Sequence, residues 1–217
     1  DGTIRLWSRS NRAGQGDPVR LEGHSGPLRA LAFSADGTLL ASGSDGDHRI
    51  LLWNVATGHQ RKQLDVGGDV TAIVISPDST LLASASEGKE SIELWNLSTS
   101  KKHGELPGHD INTTALAFKS DGKTLVSGGS DQAVRVWDLG SSKETGEPTG
   151  TGGTVAQLAL DPAGTMLASA SRWPGAVQLR DLRRIGSPRD LPTGTPGGGN
   201  SVAFSPDGKM LAFTADE

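Results

Sequence analysis

Short apolar segments alternate with polar turns along most of this chain. One example is the apolar stretch 30–33, which is followed by the turn Ser34-Ala35-Asp36-Gly37 and then by a second apolar stretch, 39–42. Asp and Gly supply the backbone conformations that tight turns need. Two short apolar segments joined by such a turn predict a β-hairpin.

The hairpin recurs with a regular period. Trp7, Trp53, Trp95 and Trp137 each end a β-branched or Leu-rich segment and follow one another at intervals of about 42 to 46 residues. A fifth copy has Arg180 in place of Trp. The turn recurs in the same phase, as Ser34-Ala35-Asp36-Gly37, Ser76-Pro77-Asp78-Ser79, Lys119-Ser120-Asp121-Gly122, Asp161-Pro162-Ala163-Gly164 and Ser205-Pro206-Asp207-Gly208. Each period therefore predicts four short strands.

Four antiparallel strands in about 40 to 45 residues are typical of a β-propeller blade, which buries its faces only by stacking on its neighbours. The recurring turns and Trp-terminated strands resemble the WD-repeat family over nearly the whole chain. This resemblance implies an all-β propeller of four-stranded antiparallel blades, with about five blade equivalents. The expected units are a half blade at 1–22, complete repeats at about 23–65, 66–107, 108–149 and 150–192, and a half blade at 193–217.

The strand phases at the two ends of the chain are complementary. The chain starts at a third strand and stops after a second strand. Two strands from each end would complete one composite blade and close a five-bladed ring with no exposed sheet edge. The alternative is a segment of a seven-bladed ring, which is the usual size in the family it resembles, and the missing initial Met favours this alternative. An open ring would allow self-association.

The resemblance also implies a hydrogen-bonded network within a blade. Its members are a His before the first strand, a Ser or Thr on the second, an Asp in the next loop and the Trp of the third. Two repeats carry the complete set, namely His24, Ser42, Asp47 and Trp53, and then His109, Ser127, Asp131 and Trp137. A buried imidazole and a buried indole N–H both need partners, so a complete network makes a blade rigid.

Two other repeats depart from this pattern. Gly67-Gly68 and Thr151-Gly152-Gly153 stand where a Gly-His pair is expected, and Lys89 and Pro174 occupy the Asp position. We expect these blades to be looser because their networks lack members.

The Ser, His and Asp residues also suggest a hydrolase, because a Ser nucleophile needs a base and the base needs an orienting acid. The set recurs in phase in two repeats, which a single active site does not require, and no Gly-x-Ser-x-Gly elbow is present. The five His residues lack the spacing of a zinc helix. We therefore predict no enzyme activity, no metal and no cofactor.

Composition excludes further classes of protein. The 217 residues carry a formal net charge of −4, so the chain offers phosphate backbones little attraction. No apolar stretch approaches the roughly 20 residues that a membrane helix needs. No Cys is present, which excludes disulfides and thiolate sites. We expect a cytoplasmic protein that binds neither nucleic acid nor membrane.

Three residues are candidates for contact with a partner protein. Arg29 lies early in a first strand, near where the family it resembles lines the mouth of the central channel. Arg172 and Trp173 fall in a loop between a second and a third strand. Arg and Trp are enriched at binding hot spots. Alternatively, Arg29 is merely solvated at the rim, and Trp173 folds back to replace the Trp that is missing at Arg180.

These observations predict a non-catalytic scaffold that binds other proteins or peptides with one face of a propeller. A second hypothesis is that the repeats are the sensory or regulatory region of a larger bacterial signalling protein, a kinase or an NTPase. A weaker resemblance links the motif at 205–213 to periplasmic propellers. Fold alone does not choose among these functions.

Overall fold

The computed structural model describes residues 2–8, 18–146, 149–172, 175–183, 188–192 and 198–215. Within these ranges the chain forms 21 β-strands and no helix. The strands make six antiparallel sheets that follow one another in chain order, and we number the sheets first to sixth.

The first sheet consists of β1 (Thr3–Leu6) and β2 (Val19–Glu22). The second contains β3 (Leu28–Phe33), β4 (Leu39–Ser44), β5 (Arg49–Asn54) and β6 (Gln60–Asp65). The third contains β7 (Val70–Ile75), β8 (Leu81–Ser86), β9 (Ile92–Asn96) and β10 (Lys101–Leu106). The fourth contains β11 (Thr113–Phe118), β12 (Thr124–Gly129), β13 (Ala133–Asp138), β14 (Lys143–Glu144) and β15 (Thr149–Gly150). The fifth contains β16 (Val155–Leu160), β17 (Met166–Ser171), β18 (Val177–Asp181) and β19 (Arg189–Leu191), and the sixth β20 (Gly199–Phe204) and β21 (Leu211–Ala215).

The recurring turn joins the first two strands by the same two backbone hydrogen bonds in all five sheets that contain it. In the second, third and sixth sheets a Ser and an Asp side chain add the same further bonds. In the second sheet the Ser34 hydroxyl donates to the Asp36 carboxylate at 2.6 Å and accepts the Leu39 N–H at 2.9 Å. Gly37 has φ of 69°, a conformation that costs glycine little. The side chains and the backbone thus fix the hairpin register locally.

Sheet-to-sheet stacking builds the core. The first strands of neighbouring sheets lie against one another, β3 on β7, β7 on β11, β11 on β16 and β16 on β20. Small residues on the second strands, such as Ala41 and Ala83, are fully buried near this inner line. The large Trp53 and Trp137 fill the wider outer space, where they are also buried. The alternation of small and large residues suits the wedge-shaped gap between sheets.

These sheets confirm the predicted all-β class and the four-stranded antiparallel blades. The closed five-bladed ring is wrong for this structure. Among the described strands, β1 pairs only with β2 and β21 only with β20, so the two half blades remain separate sheets. Each half blade packs on its chain neighbour instead, through Ile4 and Leu21 at one end and Val202 at the other. Ring closure depends on the sum of the rotation angles between neighbouring sheets. The strand phases at the two ends of the chain do not determine that sum.

Candidate partner-binding face

Two sheets contain a complete chain of hydrogen bonds. In the second sheet the Trp53 indole N–H donates to the Ser42 hydroxyl at 2.8 Å, and this oxygen lies 2.7 Å from His24 Nε2. His24 Nδ1 lies 2.8 Å from the Asp47 carboxylate. If Nδ1 carries the proton, every donor in the chain meets one acceptor.

The fourth sheet repeats this geometry. The Trp137 N–H donates to Ser127 at 2.8 Å, His109 Nε2 lies 2.7 Å from the same hydroxyl, and His109 Nδ1 lies 2.8 Å from Asp131. Burial lowers the pKa of His109 despite the neighbouring carboxylate. Burial alone would raise the pKa of Asp131, but interaction with the His109 ring and with backbone N–H groups lowers it overall. A neutral imidazole therefore faces an ionised carboxylate.

The third sheet has no His at this place and contains a different polar cluster. Trp95 still donates to Ser84, at 3.0 Å. Lys89, which stands at the Asp position, lies 3.1 Å from the Glu93 carboxylate, and Lys102 lies 3.0 Å from the same oxygen. Glu93 is buried, and its second carboxylate oxygen has no hydrogen-bond partner in the described structure. This ion cluster was not predicted from the sequence, and the looseness of this sheet stays a prediction.

The fifth sheet has Arg180 where the others have Trp. The guanidinium is partly buried, and this desolvation lowers its pKa. Gln178, two residues before Arg180 on β18, donates to Asp190 at 2.9 Å. Neither a His nor an indole N–H reaches Ser169 in the described part of this sheet.

Loops from several sheets lie along one edge of the stack, which we call the loop face. It consists of the loops between second and third strands and of the loops that lead from each sheet to the next. Its described residues are 23–27, 45–48, 66–69, 87–91, 107–112, 130–132, 151–154, 172, 175–176, 192 and 198. Neighbouring sheets are joined here, because Asp69 accepts the Gly46 N–H at 2.7 Å and Asn112 accepts the Gly88 N–H at 3.4 Å. The Asp47 and Asp131 ends of the two networks also lie on this face.

A β-bulge occurs at the start of every first strand, where the pairing register shifts by one residue. A bulge re-aims the side chain that it carries. Thr71 donates across the interface to the Thr113 carbonyl at 2.6 Å, and Thr114 donates similarly to the Val155 carbonyl of the next sheet. Arg29 is the bulge residue of the second sheet, and its Nε donates to Asp45 at 2.7 Å. The residues at the bulges are Arg29, Thr71, Thr114, Ala156 and Asn200.

The structure describes two of the three residues that were predicted to contact a partner. Arg29 is exposed and is held towards the loop face by Asp45. Arg172 is also exposed on the loop face, and its backbone N–H donates to the Thr154 carbonyl at 2.8 Å. Trp173 lies outside the described residues. Hydrogen bonds in the described structure do not link Arg29 to Arg172, which belong to different sheets.

Sequence reasoning missed two features of the loop face. Ile111 is 57% exposed, an unusual position for a large apolar side chain. The residue before it, Asp110, lines a groove of about 520 Å³ between the third and fourth sheets. Glu90, Asp110 and Glu144 contribute carboxylates to its lining, against the cations of Arg135 and Lys143. The signal available in the sequence was Gly146, which lies between β14 and β15 with a φ of 87°.

Arg135 organises the charges in this groove. Its guanidinium lies 3.1 Å from Glu144, 3.3 Å from Asp131 and 3.4 Å from Asp110. One oxygen of Glu144 is buried and has no hydrogen-bond partner in the described structure. The side chains that line the groove therefore carry more negative than positive charge.

The described ranges lack two other features. They contain no group of three or more His, Asp or Glu side chains placed to hold a metal ion. They also contain no helix long and apolar enough to cross a lipid bilayer.

Comparison with known proteins gives matches of two kinds. The family model described as WD domain, G-beta repeat matches residues 17–54, 56–96 and 100–138, which is more than half of the chain. The chain is 37% identical over 67 residues to Small ribosomal subunit protein RACK1y of Oryza sativa subsp. japonica, covering 31% of this chain and 19% of the relative. It is 47% identical over 47 residues to Protein ALTERED SEED GERMINATION 2 of Arabidopsis thaliana, covering 22% of this chain and 6% of the relative. Each match thus spans less than one fifth of the relative's length.

Proposed function

Because this chain belongs to the WD domain, G-beta repeat family, we propose that it is a non-catalytic scaffold that binds a protein or peptide on the loop face. The observation that carries this proposal is the exposed Ile111 beside the acidic groove. An apolar contact next to a charge-bearing groove is the kind of surface that partner recognition uses.

The buried networks support the non-catalytic part of the proposal. Ser42 and Ser127 have no exposed surface, and each hydroxyl already bonds an indole and an imidazole. A nucleophile must reach its substrate, and these hydroxyls do not. Their role is to hold the sheets rigid beneath the loops, which keeps the entropy cost of partner binding low.

The charges of the groove indicate the chemistry of the partner. Glu90, Asp110 and Glu144 outnumber the two cations, so a Lys or Arg side chain of a bound peptide would gain favourable electrostatic interactions there. An apolar residue of the same peptide would cover Ile111. Arg29, Arg172 and Trp173 are the further contact residues that we propose, with the two Arg side chains suited to acidic groups of the partner.

The test is selection of a random peptide library on the immobilised chain, followed by affinity measurements with the selected peptides. We expect enriched peptides to contain a basic and an apolar residue. The double variant Glu90→Gln, Asp110→Asn should weaken binding at least about tenfold, a loss of about 1.4 kcal/mol. Ile111→Ala should weaken binding as well.

Two further variants complete this experiment. Arg172→Ala combined with Trp173→Ala tests the predicted loop, while Lys123→Ala, in the turn at the opposite edge of the sheets, is the matched control. Peptides that bind every variant as tightly as wild type would refute the loop face as the binding site. The regulatory alternative, the cytoplasmic location and the absence of a nucleic-acid or membrane partner stay predictions.

A further inference from the structure

The edge of the stack opposite the loop face carries the recurring turns, and we call it the turn face. A second groove, of about 420 Å³, lies on this face between the second and third sheets. Leu39, Leu52 and Leu97 supply apolar surface to its lining. Arg61 and Lys62 of the outer strand β6 also line it.

Arg61 and Lys62 are cations without an anionic partner. Both residues are exposed, and neither side chain forms an ion pair or a hydrogen bond within the ranges that the structure describes. Lys102 of the next outer strand differs, because it pairs with Glu93 at 3.0 Å and with Glu105 at 2.7 Å. Arg61 and Lys62 are therefore available to an anion from another molecule.

The described lining of this groove contains one carboxylate, that of Asp36. It accepts the Ser34 hydroxyl at 2.6 Å and the Thr38 backbone N–H at 3.0 Å, and these hydrogen bonds lower the pKa of Asp36. Asp36 is thus engaged within its own turn. The two cations outnumber it, so the charge preference of this groove is opposite to that of the acidic groove on the loop face.

Ser79 adds a hydroxyl to the same lining. Its φ is 58°, a backbone conformation that glycine adopts more readily than other residues. Its hydroxyl has no hydrogen-bond partner among the described residues. The four other recurring turns have glycine at this position, namely Gly37, Gly122, Gly164 and Gly208.

The interface between the third and fourth sheets lacks these features at the corresponding places. The strand pairing shows that Gly104 takes the position of Lys62. Gly122 takes the position of Ser79. The cation and the hydroxyl are therefore particular to the groove between the second and third sheets, and the repeat itself does not require them.

We propose that this groove binds an acidic segment of a partner protein. Carboxylates of the segment lie between Arg61, Lys62 and the Ser79 hydroxyl, and an apolar side chain of the segment covers Leu97. Arg suits this role because its planar guanidinium can donate two hydrogen bonds to one carboxylate. The turn face then binds a partner of opposite charge to the one proposed for the loop face. This inference does not depend on the loop-face site.

Fluorescence anisotropy of short labelled peptides that contain Glu and Leu in different orders tests the proposal. We expect at least one peptide to bind with a Kd below about 1 mM. Arg61→Gln combined with Lys62→Gln should weaken binding at least about tenfold, and so should Gln in place of Glu in the peptide. Lys123→Gln, which removes an exposed cation from the turn of the fourth sheet, is the matched control and should bind like wild type.

Two further variants locate the contact. Ser79→Gly should weaken binding without reducing stability in urea, because glycine suits this φ better than serine does. Glu90→Gln combined with Asp110→Asn should leave the affinity for acidic peptides unchanged, which separates this site from the loop face. Failure of every peptide to bind at about 1 mM overturns the proposal. Wild-type affinity in the Arg61/Lys62 or Ser79 variant, or an equal loss in Lys123→Gln, overturns it as well.

Discussion

Replacing Ser127 by Ala tests how much the His-containing network contributes to stability. The Ser127 oxygen serves two groups, the Trp137 indole N–H and His109 Nε2, and all three residues are buried. Ala leaves both groups without a partner and water has no access to them. A buried polar group left unsatisfied costs about 1–3 kcal/mol, so we expect a loss of about 2–5 kcal/mol. Domains of this kind are stable by only about 5–15 kcal/mol.

Ser84→Ala is the matched control in the third sheet. Ser84 occupies the same strand position and is equally buried, but it serves only the Trp95 indole N–H because this sheet has no His. One group is then left without a partner, so the expected loss is about 1–3 kcal/mol. The difference between the losses of unfolding free energy in the two variants measures how much the hydrogen bond to the imidazole contributes to stability.

The assay is unfolding in urea, monitored by circular dichroism. The free energies of unfolding of the two variants can be compared when they depend on urea concentration with the same slope. In a His109→Leu background, Ser127→Ala should cost no more than Ser84→Ala does in the wild-type chain. Equal losses for Ser127→Ala and Ser84→Ala in the wild-type background would refute the reasoning. So would an unchanged loss for Ser127→Ala when His109 is already absent.

Buried polar groups in the third, fourth and fifth sheets give three further predictions. Burial lowers the pKa of His109 below its ordinary 6.5. Below that pH the unfolded chain binds a proton that the folded chain does not, so the free energy of unfolding should decrease as the pH falls. Urea midpoints at about pH 7.5 and about pH 5 measure this decrease, and His109→Leu should make it smaller. Arg180→Trp should raise the free energy of unfolding by about 1–2 kcal/mol, because it removes a desolvated cation and offers an indole N–H to Ser169. A loss of stability in urea would contradict this and would indicate that another side chain already fills the space beside Ser169. Glu93→Leu, which installs the residue type found at Leu51 in the second sheet, should leave stability unchanged or raise it. The substitution removes a buried carboxylate that has one unsatisfied oxygen, and Lys89 and Lys102 are exposed enough for water to hydrate them once Glu93 is gone. Thermal melting measures this, and a marked drop in melting temperature contradicts it.

Much of the structure within each sheet could be predicted from local sequence. The Ser-x-Asp-Gly turns fix the hairpins through hydrogen bonds that span only a few residues. The strand that ends in Trp53 and its repeats follow from period and apolar pattern. The two His-containing sets also recur at fixed positions, so a family resemblance was sufficient to group them.

The candidate site was less predictable because its features arise between sheets. Ile111 looks like any loop apolar residue in the sequence, and its exposure depends on what the fourth sheet packs against. The cluster of Lys89, Glu93 and Lys102 joins three positions that carry other residue types in the neighbouring sheets. Arg29 is aimed by a bulge whose presence depends on how β3 pairs with β4.

The sequence by itself determined the repeated unit, namely its strands, its turns and the residues that fill the gap between two sheets. These properties depend on contacts within about forty residues and on the one neighbouring sheet. Only the tertiary structure decided that the first and sixth sheets stay apart, which side chains the loop face exposes, and where the acidic groove lies. Those features depend on small angles and offsets between neighbouring sheets, which add up over six sheets. A repeating sequence pattern does not determine their total.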